Sequence, residues 1–301
     1  MDREIIVLAD KEVEPLLSRQ VARDTAWADW PRRDANIARR PEIREILHEI
    51  NRKIRNESGY CVLRITPETV ADPHLITVAY WNLFTCLGDP ITQYSTGELL
   101  FGVRTTQSSA PLMSHYSQSN RGGGFHTDGT FLRQTPFFVG LICLEQAQHG
   151  GDSILIDGRM VCRELAANHP EVLQSLQRKY YFDCCGQLPG IETRLKPIIS
   201  AGGGEIFIQY LRSYIVEGHA KVGQPLGAKA IAEIDIFDSL LEREDFQLLY
   251  KLRPGEMLIF NNRFMLHGRK PFYDEGDGPS RRHLIRVYAE GQCAKVTSSV
   301  A

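Results

Sequence analysis

The chain has few of the features that mark secreted, membrane-spanning or zinc-finger proteins. Its seven cysteines are an odd number and form no CxxC pair, so neither a disulfide scaffold nor a zinc finger is expected. The first ten residues lack the basic and apolar regions of a secretory signal, and the apolar stretch at 137–144 is too short to cross a bilayer. These absences predict a cytoplasmic protein that does not contact the membrane.

The chain also has no excess of charge of one sign. Lys and Arg number 35 against 37 Asp and Glu in 301 residues, which gives a net charge of −2, and no long basic run occurs. Proteins that bind nucleic acid through its phosphates normally carry a basic surface, so no nucleic-acid partner is expected. The expected partner is a small-molecule substrate, and the sequence leaves a homo-oligomer open.

No internal repeat or Pro/Ser-rich linker divides the chain, which predicts a single domain over 1–301. We predict three parts within it. They are a helical and strand preface at 1–92, a mobile active-site loop rich in Ser, Thr, Gln and Gly at 93–124, and a β core with helical insertions at 125–291.

Hydrophobic periodicity predicts the main elements. Helices are expected at 41–57 and 73–87, with helical insertions near 158–179 and 226–250. Strands are expected at 59–65, 137–144, 153–156, 205–210, 256–260 and 283–289. This pattern favours an α+β fold that is mainly β with helical decoration, built on a curled antiparallel sandwich rather than a doubly wound sheet.

Two short motifs offer metal ligands. In an extended strand His126 and Asp128 point to the same face, and His267 follows the apolar strand at 256–260. Two histidines and one carboxylate form the facial triad that holds Fe(II) in non-haem oxygenases. Each motif alone also fits a surface strand pair or a structural histidine, so the pattern by itself leaves both interpretations open.

A third motif places arginines on a strand. Arg282 and Arg286 share one face of the segment RRHLIRVY, and both lie among apolar residues. A guanidinium in such surroundings is costly unless it meets an anion, and its fork binds a carboxylate through two hydrogen bonds. The pair therefore fits the anchoring of a dicarboxylic cosubstrate, and surface ion pairs are the alternative.

Together these motifs resemble the Fe(II)/2-oxoglutarate dioxygenase superfamily, in its taurine dioxygenase and clavaminate synthase-like branch. The resemblance runs from about 124 to 291 and includes FHTDGTF, GGDS, NNRxxxHGR and the terminal RxxxR. It implies a double-stranded β-helix core, the jelly-roll architecture that cupins also have.

The resemblance also implies roles for individual residues. His126, Asp128 and His267 match the iron ligands of the family. Binding of 2-oxoglutarate is implied for three further positions: Arg282 matches the arginine that pairs with the distal carboxylate, Ser153 stands where the family often has a threonine, and Arg286 matches a second arginine near the cosubstrate or the substrate acid group.

The reaction implied by the resemblance needs Fe(II), 2-oxoglutarate and O₂. We expect hydroxylation of a small polar molecule, such as an amino acid or a natural-product intermediate, with release of succinate and CO₂; desaturation and cyclisation stay open. A halogenase would need a small residue at the position of Asp128, so halogenation is not expected. Candidates for contact with the substrate are Arg104, Gln118 and Arg121.

Two other functions use the same residues. A hydrolase could hold Zn²⁺ with these two imidazoles and the carboxylate and activate water, but it leaves Arg282 and Ser153 without a purpose. A non-catalytic β-barrel binding protein could have kept a metal site, but it would have little use for the carboxylate of Asp128.

Overall fold

The computed structural model describes residues 4–66, 68–104, 123–133, 135–274 and 282–291. Within these ranges eight α-helices form two groups along the chain. The first group is α1 (Asp10–Leu17), α2 (Ala35–Arg39), α3 (Pro41–Asn56) and α4 (Pro73–Leu87); the second is α5 (Gly158–Asn168), α6 (Pro170–Leu176), α7 (Arg212–Lys221) and α8 (Ala228–Leu241). None of the helices described there is long and apolar enough to cross a membrane.

The described strands form two larger sheets and three two-stranded ones. The major sheet has the order β1 (Ile5–Leu8), β2 (Tyr60–Ile65), β14 (Glu256–Asn261), β6 (Phe138–Glu145), β17 (His283–Gly291) and β3 (Gly88–Pro90), with β4 (Leu100–Val103) also paired to β17. The minor sheet has the order β13 (Gln247–Tyr250), β8 (Ser153–Asp157), β15 (Met265–Arg269) and β5 (Gly123–His126). The pairs are β7 (His149–Gly150) with β16 (Phe272–Tyr273), β9 (Lys179–Asp183) with β10 (Thr193–Pro197), and β11 (Ile199–Gly202) with β12 (Glu205–Ile208).

The major and minor sheets face each other across a shared core. One buried cluster contains Val139 and Leu258 of the major sheet together with Leu155 and Met265 of the minor sheet. Because side chains alternate along a strand, β17 sends Leu284 into this cluster and Ile285 to the opposite face. The molecule is therefore a sandwich of two sheets, and its interior is the space in which the candidate site lies.

Helices cover the outer faces of both sheets. The first group packs on the major sheet, where the apolar stripe of α3 and the largely buried α4 join Ile285 and Val287 of β17 in a second cluster. The start of α4 follows from its sequence, because Asp72 accepts a hydrogen bond from His74 N and Pro73 occupies the first turn. The second group packs on the outer face of the minor sheet in a third cluster.

The mixed fold and most of the predicted elements are confirmed. The helix expected at 73–87 has these bounds, and the strands expected at 153–156 and 256–260 lie within β8 and β14. The jelly-roll architecture and the single domain over 1–301 stay predictions.

Two predictions about element type are wrong. Residues 100–103, which fall in the expected loop at 93–124, form β4 because they pair with β17, and β5 begins at Gly123. Residues 247–250, expected to be helical, form β13 because they complete the minor sheet beside β8.

Candidate metal centre

The register of the minor sheet brings the two predicted imidazoles together. His267 in β15 lies directly opposite His126 in β5, and their ring centroids are 4.2 Å apart. The strand β5 ends at His126, and Asp128 follows two residues later on the same side. Among the described residues these three form the one group of at least three His, Cys, Asp or Glu side chains whose ligand atoms all lie within 4.8 Å of one another.

The distances fit a single metal ion. Nε2 of His267 lies 3.4 Å from Oδ2 of Asp128, and Nε2 of His126 lies 3.9 Å from Oδ1. Two ligand atoms bound at about 2.1 Å and at right angles are about 3 Å apart, so small side-chain movements bring the three groups onto one ion. All three side chains are buried. Two imidazoles and one carboxylate on one side of an ion are the donor set of a non-haem Fe(II) site.

Hydrogen bonding and packing orient the two imidazoles. Nδ1 of His126 lies 3.2 Å from the carbonyl oxygen of Gly124, a contact that assigns the ring proton to Nδ1 and leaves the lone pair on Nε2. The ring of His267 packs against Phe260, 4.9 Å between centroids. The pKa of His126 is lowered to about 3, mainly by burial of the ring and next by the neighbouring His267. Its imidazole is therefore neutral at pH 7, which is the form that binds a metal.

The carboxylate of Asp128 is held so that one oxygen stays available. Nη1 of Arg286 donates to Oδ1 at 2.9 Å, whereas Oδ2 accepts no hydrogen bond from any residue in the described ranges. Burial alone would raise the pKa of Asp128, but the charge of Arg286, then that of His267, lowers it below its usual range. The group is thus a carboxylate at neutral pH with a free oxygen that faces the two imidazoles.

The backbone of Asp128 is fixed by Asn262, which is fully buried. Its Oδ1 accepts from Asp128 N at 2.8 Å, and its Nδ2 donates to Asp128 O at 3.0 Å. Nδ2 also donates to the carbonyl oxygen of Pro136 at 3.2 Å. Asn262 therefore ties the turn after β5 to the end of β14, and a single amide sets the position of the carboxylate.

The guanidinium of Arg286 contacts three groups of the protein itself, and its expected place near the cosubstrate or the substrate acid group stays a prediction. Nε donates to Gln93 Oε1 at 2.8 Å, Nη1 donates to Asp128, and Nη2 donates to Tyr94 OH at 3.0 Å. Burial opposes its charge, but the carboxylate of Asp128 holds the pKa of Arg286 above its ordinary value.

One cavity beside the imidazoles contains the residues expected to bind the cosubstrate. Its lining includes His267, Ser153, Arg282 and Arg269. Ser153 lies opposite Arg269 in the register between β8 and β15, and Arg269 is two residues from His267, so these side chains share the inner face of the sheet. The structure therefore brings Ser153 and Arg282 together beside the metal ligands.

The turn at Gly150 and Gly151 lets Arg282 approach this cavity. Both glycines have positive φ, and a Cβ at Gly151 would lie 3.1 Å from Nε of Arg282. Phe272 packs against two of the arginines that line the cavity, with its ring centroid 4.6 Å from Cζ of Arg269 and 5.1 Å from Cζ of Arg282. The result is a narrow, cationic pocket with one hydroxyl group.

A second cavity lies on the other side of His126 and is largely aromatic. It is lined by Tyr94, His126, Thr127, Asp128, Gly129, Thr130, Phe131, Leu211, Tyr214, Arg286 and Tyr288. Arg286 and His126 line both cavities. The candidate metal centre is thus placed between a cationic pocket and an aromatic one.

One of the three residues predicted to contact the substrate lies in the described structure. Arg104 is exposed and directly follows β4. It is not among the described residues that line either cavity, although its neighbour Val103 lines the cavity that contains Arg282. Burial, and then the charge of Arg104, lowers the pKa of His283. Gln118 and Arg121 lie outside the described residues, and the contact of all three with a substrate stays a prediction.

Three residues of the site were missed as functional residues in the sequence. Asn262 and Arg269 stand in the quoted motif NNRxxxHGR. Asn262 follows the end of the predicted strand at 256–260 by two residues, and Arg269 follows His267 by two residues, so these spacings are a signal that could have found them. Gln93 gives no such signal, because it contacts Arg286 across 193 positions of the chain.

The comparisons with known proteins agree with this geometry. The sequence model of the family described as "Taurine catabolism dioxygenase TauD, TfdA family" matches residues 41–288. FR-33289 synthase of Streptomyces rubellomurinus is 26% identical over 210 residues, which are 67% of this chain and 60% of that protein. Human gamma-butyrobetaine dioxygenase is 30% identical over 176 residues, 55% of this chain and 43% of the relative. The match therefore spans about half the length of these relatives.

Solved structures share the fold over nearly the whole chain. Asparagine oxygenase in complex with Fe(II), 2S,3S-3-hydroxyasparagine and succinate is 19% identical, with a TM-score of 0.66, and the match covers 96% of this chain and 94% of that one. The non-heme iron oxygenase OrfP in complex with Fe and alpha-ketoglutaric acid is 16% identical, with a TM-score of 0.65, over 95% and 94% of the two chains.

Proposed function

The chain belongs to the TauD, TfdA family of dioxygenases, and we propose that it is an Fe(II)- and 2-oxoglutarate-dependent oxygenase that hydroxylates a small polar molecule such as an amino acid or a natural-product intermediate. The observation that carries the proposal is the placement of the ligand atoms of His126, Asp128 and His267 within 4.8 Å of one another, beside a pocket lined by three arginines. We also assign the two facing sheets to a double-stranded β-helix, in line with the fold shared with the solved oxygenases.

The proposed ligands of Fe(II) are Nε2 of His126, Oδ2 of Asp128 and Nε2 of His267. The imidazole nitrogens offer their lone pairs, and the carboxylate offers the oxygen that Arg286 leaves without a hydrogen bond. When bound, the iron and 2-oxoglutarate supply the oxidising chemistry, in which activation of O₂ is coupled to decarboxylation of the cosubstrate to succinate and CO₂. The protein contributes position, charge and the exclusion of water.

The cationic pocket is the proposed site of 2-oxoglutarate. Arg282 would hold the distal carboxylate through its guanidinium fork, and the hydroxyl of Ser153 would donate to the same group. Arg269 lies opposite Ser153 and adds a second positive charge to the pocket wall. A pocket this narrow and this cationic fits a small dicarboxylate with its keto-acid end toward the imidazoles.

The aromatic cavity is the proposed site of the substrate. Tyr94, Phe131, Tyr214 and Tyr288 supply apolar walls, and Thr130 is a hydroxyl-bearing residue of the same lining. Walls of this kind exclude water from the reacting carbon, while a few polar groups orient the bound molecule. The proteins named above include an asparagine oxygenase and a gamma-butyrobetaine dioxygenase, which supports a small polar substrate for this cavity.

The hydrolase alternative is not favoured. A zinc hydrolase needs a general base near the metal-bound water, and the described residues place no further carboxylate or imidazole in the cluster of His126, Asp128 and His267. The family itself is a family of dioxygenases.

Turnover of 2-oxoglutarate tests the proposal. The purified protein is supplied with Fe(II), ascorbate and 2-oxoglutarate, and succinate is measured with and without each member of a panel of amino acids, betaines and natural-product intermediates. We expect one class of compound to increase succinate formation and to gain one oxygen by mass spectrometry, and we expect the His267→Ala variant to show neither effect. Succinate formation equal to that of the metal-free protein with every compound would contradict the proposal.

A further inference from the structure

Gln93 is a fully buried polar residue without a role in the site described so far. It lies between β3 and β4, and its side chain is 0% exposed. Nε2 donates to Arg286 O at 2.8 Å and to Leu99 O at 3.1 Å, and Oε1 accepts from Arg286 Nε at 2.8 Å. One amide therefore fixes both the backbone and the side chain of the same arginine.

The contact continues from Arg286 to the metal ligand. With Nε fixed by Gln93 and Nη2 on Tyr94 OH, the guanidinium plane has one orientation, and that orientation places Nη1 at 2.9 Å from Asp128 Oδ1. The hydrogen bond from Arg286 engages Oδ1 and reduces its donor strength, so Oδ2 is the oxygen more available to an ion. The hydrogen-bonded chain from Gln93 through Arg286 thus selects Oδ2 of Asp128 and leaves it facing His267.

We propose that Gln93 is a positioning residue of the metal centre, which acts through Arg286 to keep Asp128 a ligand through a single oxygen; the inference rests on the proposed function. A neutral amide suits this role. It orients the guanidinium without neutralising it, so the positive charge stays directed at Asp128. Partners one step beyond the metal ligands commonly set metal affinity, and their loss costs about 10- to 100-fold.

A matched pair of variants separates positioning from stability. Gln93→Met keeps the length of the side chain and removes its hydrogen bonds. Asn82→Leu is the control, because Asn82 is also a buried amide whose Nδ2 donates to two carbonyl oxygens, those of Leu16 and Arg19, in the helical layer. Mn(II) affinity is measured by electron paramagnetic resonance, and thermal unfolding is measured on the same samples.

We expect Gln93→Met to bind Mn(II) about 10- to 100-fold more weakly than the wild type, and Asn82→Leu to bind it as the wild type does, although both variants melt at lower temperature. Gln93→Glu keeps an oxygen that accepts from Arg286 Nε, so its Mn(II) affinity is expected to lie between those of the wild type and Gln93→Met. A purely structural role of Gln93 predicts equal Mn(II) affinity in all folded variants, and that result would overturn the inference.

Two further outcomes are decisive. If Gln93→Met does not fold, Gln93→Glu is compared with Asp128→Ala. A Mn(II) affinity of Gln93→Glu closer to that of the wild type supports the inference. A loss of Mn(II) affinity as large as that of Asp128→Ala overturns it. If the wild type turns over 2-oxoglutarate and the Gln93 variants bind Mn(II) as tightly as the wild type does, only this inference is contradicted. If the wild type binds no metal, the proposed function is contradicted as well.

Discussion

Asp128 shows how much of the site depends on single contacts. Its side chain offers two oxygens, of which Arg286 occupies one, while Asn262 fixes the backbone on both sides. The motif HxD predicted that Asp128 faces the same way as His126, because residues two apart in an extended chain do so. It could not predict the contact with Arg286, since nothing local in the sequence places position 286 beside position 128.

Arg282 is predicted to govern affinity for the cosubstrate and not affinity for the metal. In Arg282→Met, we expect the dissociation constant of 2-oxoglutarate to rise by about 30- to 1000-fold, or about 2–4 kcal/mol, because the distal carboxylate loses its charged partner in a buried pocket. Anaerobic titration of the Fe(II)-loaded protein, followed by visible absorption, measures this constant.

The control for Arg282 uses a ligand as well as a variant. 2-Oxobutanoate lacks the distal carboxylate, so Arg282→Met should bind it as the wild type does. Arg263→Met removes an arginine that pairs with Glu205 at the surface and should leave both ligands unaffected. An equal loss of affinity for both keto acids in Arg282→Met would show that Arg282 does not contact the distal carboxylate.

At the scale of elements, the strand β10 supports the turn that follows the metal-binding strand. Nζ of Lys196 donates to Thr130 O at 2.9 Å and to Leu132 O at 3.1 Å. Burial, and then the neighbouring Arg194, lowers the pKa of Lys196 from its ordinary value of 10.5 to about 8. The turn at 129–132 lines the aromatic cavity, so a lysine from an insertion between the core strands holds one wall of it.

The depressed pKa of Lys196 predicts a rise in stability at alkaline pH. Below about pH 8 the amine of Lys196 is charged in both the folded and the unfolded protein, so the cost of burying the charge lowers the free energy of unfolding in full. Between about pH 8 and 10.5 the folded protein loses this proton while the unfolded chain keeps it. The unfolded state then binds more protons, and the free energy of unfolding rises with pH by about 1–3 kcal/mol.

Chemical denaturation near pH 7 and near pH 10 measures this effect. The wild type should gain stability relative to Lys196→Met across this interval. Lys229→Met, which removes a lysine with an 81% exposed side chain, should follow the wild type. Parallel pH profiles of the wild type and Lys196→Met would contradict the buried, neutralised amine.

Local sequence predicted elements well where one period dominates. The helices α3 and α4 follow from apolar spacing and from proline in the first turn. The strand β13 was predicted as helix because residues 247–250 continue an amphipathic run, and pairing with β8 decides their conformation. In the same way β4 is a strand only because β17 lies beside it.

At the scale of the whole molecule, the site depends on pairings between distant segments. The strand β14 joins β2 and β6, with Glu256 opposite Arg64, and β15 joins β8 and β5. These pairings bring His126, Asp128 and His267, from two parts of the chain, close together between the sheets. The sequence predicted the triad because the family resemblance implied the pairing, and it gave no independent route to the register or to the role of Gln93.

The central claim is that His126, Asp128 and His267 bind one Fe(II) beside 2-oxoglutarate. Anaerobic addition of both to the wild type should produce the visible charge-transfer absorption of the chelate, saturating at about one equivalent of iron. The variants His126→Ala, Asp128→Ala and His267→Ala should lose most of it, whereas His149→Ala, whose exposed ring stacks on Tyr273, should keep it. Full absorption in all three ligand variants, or none in an iron-loaded wild type, would contradict the account.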